Sequence, residues 1–164
     1  MARPKSKKTK ITMERAPPAT IQTPAEFSSL GRGQSGKGMI DITDLTGQVL
    51  YIGPSSIVQI YYANYRSPES GSIVICGGLM QATHERAEDL IARMRDRVRL
   101  VNLHIAPAGP TSFPVWISVD HIVGLKATPH GTIVWAGLKA PEVVVEDYPT
   151  VSAMIDAARA PVTS

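Results

Sequence analysis

The chain has 164 residues, 43% hydrophobic and 19% charged, enough apolar surface for one compact domain or two very small ones. Its single cysteine, Cys76, excludes an intrachain disulfide, and no apolar run approaches the ~20 residues that a membrane-spanning helix needs. The formal charge of +3 conceals a division: residues 1–38 hold eight Lys/Arg against Glu14 and Glu26, a formal +6, while the remainder holds nine basic and twelve acidic residues, a formal −3.

Residues 1–38 read as a flexible, extended basic arm. Pro4, Pro17, Pro18 and Pro24 break any periodicity, and Gly31 to Gly38 is glycine-rich. Such a segment cannot bury enough apolar surface to offset its ordering entropy. Arg3, Lys5, Lys7, Lys8 and Lys10 carry its charge, and Ile11, Met13, Phe27 and Leu30 are apolar anchors that could dock on a partner. These nine residues are the candidate partner-binding set, expected to order on neighbouring protein subunits or, alternatively, on nucleic acid. No apolar stretch follows the positive charges, so the start does not read as a secretory leader. The run Gly31-Arg32-Gly33-Gln34-Ser35-Gly36-Lys37-Gly38 comes close to a phosphate-binding loop. It lacks the Ser or Thr after the lysine, and a strand rather than a helix is expected downstream.

The 13 glycines and 13 prolines of the whole chain fit short strands and turns better than long helices. Ile40, Ile42 and Leu45 begin a first strand, Val49–Ile52 form a second and Ile57–Tyr62 a third. Arg66–Gly71 is a loop, Ser72–Cys76 a fourth strand, and a helix or a further strand closes the unit, with helical periodicity over Arg86–Met94. Tyr51, Trp116 and Trp135 lie in apolar runs and are expected in the core, as is Cys76.

The same order then recurs. Ile52–Ile60 matches Ile117–Leu125 in an apolar residue, four intervening positions, Ile-Val and a further aliphatic. Gly71–Gly77 matches Gly131–Gly137, and Ile40-Asp41-Ile42 matches Val101-Asn102-Leu103. Val143-Val144-Val145 is one more strand, Glu146-Asp147 approaches a helix N-terminus, and Val151–Arg159 is helical. The expected fold is mainly β with short helices. Two tandem β units, 39–97 and 98–160, form a sandwich- or barrel-like body between the arm and a short tail, 161–164. Units of this size bury little surface alone and leave edge strands that invite pairing.

Met39–Gly47, followed by Tyr51-Ile52 and Ile57-Val58-Gln59-Ile60, resembles the small flagellar-operon β proteins of the FlbD/SwrD type, over the first unit and more loosely over the second. The resemblance implies a β module without catalytic chemistry. That family is one short unit without a basic arm, so its flagellar role does not carry over. The whole construction, an arm with apolar anchors ahead of a duplicated β module, looks like that of a bacteriophage virion protein of the decoration or cement kind.

No catalytic, cofactor or metal set is expected. His84, His104, His121 and His130 have no metal-ligand spacing. Asp120-His121 has no nucleophile beside it in sequence. Arg93, Arg95, Arg97 and Arg99 read as a solvated face or as a contact for an acidic partner. The function expected is non-enzymatic assembly, as a homo-oligomer within a virion put together in the host cytoplasm. The alternative is nucleic-acid binding through the arm; no membrane is involved.

Overall fold

Alternation of buried Ile40 and Ile42 with exposed Asp41 and Thr43 makes β1 (Ile40–Thr43) a half-buried strand in the computed structural model, which describes residues 38–106, 111–138 and 140–160. The strand stops before Leu45 because the Asp44 carboxylate accepts from the backbone N–H groups of Thr46 (2.8 Å) and Gln48 (2.9 Å), forming a turn with Gly47 at φ +84°. β2 (Val49–Ile52) returns antiparallel to β1, with Ile40 opposite Ile52. A 3-10 turn at Pro54–Ser56 leads to β3 (Ile57–Tyr62) and, beyond a loop, to β4 (Ser72–Cys76). The pair Gly77-Gly78, both at positive φ, closes a tight hairpin into β5 (Leu79–Thr83). Of the two endings left open by the pattern, the first unit therefore takes both, a further strand and then α1 (Ala87–Met94), which buries Ala87, Leu90 and Met94.

The second half comprises β6 (Leu100–Ile105), β7 (Phe113–Ser118), β8 (Gly124–Thr128), β9 (Gly131–Trp135), β10 (Glu142–Val144) and α2 (Tyr148–Arg159). As the acidic approach predicts, Asp147 caps α2 by accepting from the Thr150 N–H at 2.9 Å.

The protein is mainly β. Eight strands form one antiparallel sheet in the order β5-β4-β3-β7-β6-β10-β9-β8, and β1-β2 form a separate pair. That pair is fastened to β5 by the antiparallel bridge Asp44–Thr83 and by the Thr83 hydroxyl, which donates to the Thr43 carbonyl at 2.5 Å. Both halves thus follow one plan, 2-1-5-4-3 and 7-6-10-9-8. The unit boundary at 97–98 falls between α1 and β6, and β3 pairs with β7 across it.

Residues at equivalent places in the two halves make matching contacts. The Ser72 hydroxyl donates to the Glu85 carbonyl at 2.7 Å, and Thr132 donates to Glu146 at 2.8 Å. The Glu85 carboxylate accepts the Thr43 N–H at 3.0 Å, and that of Glu146 accepts the His104 N–H at 3.1 Å. The bridge Asp44–Thr83 has its counterpart in Val144 opposite Ile105.

Two hydrophobic clusters form the core. One surrounds α1 with Ile40, Ile42, Ile52, Ile60 and Val74; the other surrounds α2 with the counterparts Val101, Leu103, Ile117 and Val134. Where β3 and β7 pair, Ile60 and Trp116 face the α1 cluster, and Tyr61 and Val115 face the α2 cluster. Neighbouring residues of a strand point to opposite sides, so the helices cover opposite faces of the sheet.

Four side chains expected in the core are not fully buried. Tyr51 is 54% exposed, because it sits on the outward face of β2 beyond the cluster that buries Ile52. Trp116 and Trp135 are only half-buried. Cys76 ends β4 half-buried rather than inside the core, and its partial burial pushes the thiol pKa up.

Candidate assembly interface

The joint between the halves shows what these strand edges can do. β3 and β7 meet with Gln59 opposite Ile117, Ile60 opposite Trp116 and Tyr61 opposite Val115. Trp116 stacks edge-on against Tyr62, with centroids 5.5 Å apart, and Tyr65 lies against Phe113 at 3.8 Å. Buried Gln59 donates to the Glu142 carboxylate of the other half at 3.1 Å. The Tyr62 hydroxyl donates to the Glu88 carboxylate on α1. Burial and that bond push the Tyr62 pKa up to about 12, and the bond in turn holds Glu88 below the usual carboxylate range.

At the extremes of the strand order lie two strands whose outer edges pair with nothing among the described residues: β2 and β8. They are the counterparts of β7 and β3, the strands that meet at the joint. Their exposure differs accordingly. Val115 and Ile60 are fully buried at the joint, while their counterparts Leu50 and Leu125 are only partly covered. The contrast is greatest for Val58 and Val123. Val58 is 5% exposed, packed into the cluster of the other half, whereas Val123 is 76% exposed.

Exposed apolar side chains continue around β2. Met39, Val49 and Leu79 join Tyr51 there, beside a cavity of about 480 Å³ reached by Leu50, Ile52 and Cys76. These side chains are grouped at one edge rather than scattered over the surface, which makes the edge a candidate for interaction.

The arm residues Arg3, Lys5, Lys7, Lys8, Lys10, Ile11, Met13, Phe27 and Leu30 lie outside the described residues. The arginine run is solvated, all four residues being exposed, and three of them also bond within the chain. Arg93 binds Glu85 (2.7 Å) and the Asp41 carbonyl (2.8 Å), Arg97 binds the Met39 carbonyl (2.9 Å), and Arg99 pairs with Asp120. The Arg95 side chain, 78% exposed, lies 3.8 Å from the neighbouring Asp96. These arginines fasten the helix and the segment after it to β1 and to the β7–β8 turn.

Two of the histidines are similarly occupied, while His84 and His130 are exposed. His104 Nδ1 lies 2.7 Å from Glu146, and His121 Nε2 lies 2.8 Å from the Ser55 carbonyl. Asp120 and His121 therefore hold neighbouring segments, and no group of three or more potential metal ligands occurs among the described residues. No described helix is long and apolar enough to cross a membrane.

Sequence reasoning named none of Val49, Tyr51, Leu79, Met80 or Val123 as surface residues. A signal existed for Val123, since the repeat sets it against Val58, but which of the two is covered depends on long-range strand order.

No family model and no curated protein matches the chain. Among solved structures, it is similar to the LytTr DNA-binding domain of a response regulator from Bacillus cereus. The identity is 11% and the TM-score 0.47, over 73% of this chain and 97% of that one. A likeness at that level assigns neither a family nor a function.

Proposed function

We propose that this chain is a non-enzymatic assembly protein, one subunit of a larger protein structure built from copies of itself. The observation that carries the reading is that the halves are joined edge to edge by β3 and β7, while the counterpart edges, β8 and β2, stand open among the described residues with apolar side chains around them. Unprotected edges of this kind pair with other chains.

The setting we propose is a bacteriophage virion, in which the protein decorates or cements a capsid or joins a tail after assembly in the host cytoplasm. The apolar anchors spaced along a basic arm support this setting, since an arm of that composition orders favourably only on neighbouring subunits. A second reading, nucleic-acid binding, draws on the cluster Arg3, Lys5, Lys7, Lys8 and Lys10.

Size-exclusion chromatography with light scattering on the full chain, with and without duplex DNA at low and moderate salt, separates the two. Association without DNA, unchanged by it, supports assembly. A monomer that binds DNA with steep salt dependence removes the assembly reading in favour of the second.

A further inference from the structure

Resting on the assembly reading, we propose that copies of this chain join head to tail, β8 of one copy pairing antiparallel with β2 of the next. The register repeats the internal joint: Gly124 opposite Ile52, Leu125 opposite Tyr51 and Lys126 opposite Leu50.

The register is fixed by the repeat. Gln59, Ile60 and Tyr61 on β3 correspond to Gly124, Leu125 and Lys126 on β8, because each set pairs with matched residues, Ile75, Val74 and Ile73 on β4 and Trp135, Val134 and Ile133 on β9. Val115, Trp116 and Ile117 on β7 correspond to Leu50, Tyr51 and Ile52 on β2, by the matched pairings of β6 with β7 and β1 with β2. Substituting counterparts into the β3–β7 joint yields the β8–β2 register.

Three features of the free edges fit that geometry. Trp116 packs on the α1 cluster beside Ile60, so Tyr51 of the next copy would pack on the α2 cluster beside Leu125. A cavity of about 180 Å³ lies there, lined by Ile122, Leu125, Ser152 and Ile155, with Asp156 and Arg159 at hand for a phenol hydroxyl. Second, Val123 would be covered by the next copy as Val58 is covered within the chain. Third, pairing would reduce the 54% exposure of Tyr51 towards that of its half-buried counterpart Trp116 and would bury partly covered Leu50 as its counterpart Val115 is buried.

The two surfaces differ, so the interface is heterologous and each added copy presents the same free edge again. Lys126 takes the place of Tyr61 in this register, opposite Leu50 of the next copy, and a lysine on an edge strand restrains promiscuous pairing.

The test uses full-length chains in a Cys76→Ala background. One chain carries Tyr51→Cys, the other Leu125→Cys; a control pair carries Tyr51→Cys and Thr128→Cys, out of register. Mixing under mild oxidation is expected to give a disulfide-linked heterodimer for the first pair and at least about tenfold less for the control. Separately, Val123→Asp, at a site too exposed to disturb folding, is expected to weaken association at least about tenfold, with an unchanged circular dichroism spectrum. Wild-type association with no in-register cross-link and no effect of Val123→Asp would overturn the edge pairing and leave the assembly reading in place. A wild-type chain that stays monomeric would remove both. Slow amide exchange along β2 in a monomeric chain would place residues 1–37 on that edge and overturn the proposal.

Discussion

Gly71 and Gly131 occupy one and the same place in the two halves, each starting the strand that follows a hairpin and each pressed against the carbonyl of a neighbouring strand. A Cβ on Gly71 would lie 2.1 Å from the Thr83 carbonyl oxygen, and one on Gly131 would lie 1.9 Å from that of Val144. Their φ angles, +117° and +138°, are also in the range that side chains resist. Either glycine changed to alanine must therefore push β5 or β10 away from its neighbour. We expect Gly71→Ala and Gly131→Ala each to cost about 2–4 kcal/mol, summing backbone strain and overpacking. Urea denaturation checks this; a cost below about 0.5 kcal/mol, the level of an ordinary surface change, would show that the close approach is not needed.

Glu146 ties the same junction together in the second half. Its carboxylate receives the His104 backbone N–H, and its carbonyl receives the Thr132 hydroxyl. Replacing it with alanine leaves a partly buried donor without its acceptor, which costs about 1–3 kcal/mol. Glu85→Ala should weaken the first half in the same direction, through the Thr43 N–H and Arg93. Thermal melts of the two variants read this directly, and an unchanged midpoint for both would contradict it.

The Tyr62–Glu88 bond makes stability depend on pH at both ends. Glu88 has a folded pKa below its ordinary 4.5, so its contribution is present above pH 4.5 and is lost as pH falls through the lower folded value. Tyr62 is raised from 10.0 to about 12, so its contribution is full below pH 10 and is lost as pH rises through about 12. Tyr62→Phe should accordingly destabilise the protein more at pH 7 than at pH 3 or pH 12. Equal losses at all three would remove this pair as the cause.

Because β3 and β7 share one sheet, the halves should unfold together. Leu90→Ala on α1 and Ile117→Ala in the cluster around α2 both empty fully buried positions. Each should cost about 2–5 kcal/mol and move one common transition. Calorimetry showing two transitions, with each substitution shifting only one of them, would mean that the joint does not couple the halves.

Much of this arrangement was legible before the structure. The repeat matched Ile40-Asp41-Ile42 to Val101-Asn102-Leu103 and Gly71 to Gly131, and those residues do make matching contacts. These positions read clearly because β1 alternates and because positive φ selects glycine. β5 was harder to see: Leu79 and Met80 are both exposed, so the strand lacks a period of two. The arginine run is exposed as its pattern suggests, but its partners, Asp41, Glu85, Met39 and Asp120, come from elsewhere in the chain and could not be read locally. The candidate interface stayed hidden for a related reason. Tyr51 and Val123 sit in apolar runs like core residues, and only the strand order reveals that nothing described covers them.

Hydrogen exchange on the full chain, at low and high protein concentration, tests self-association through these edges most directly. Amides of Val49–Ile52 and Gly124–Thr128 should become protected together as concentration rises, while those at the β3–β7 joint stay slow throughout. Exchange along β2 and β8 that is equally fast at both concentrations, in a protein whose mass stays that of a monomer, would contradict the account.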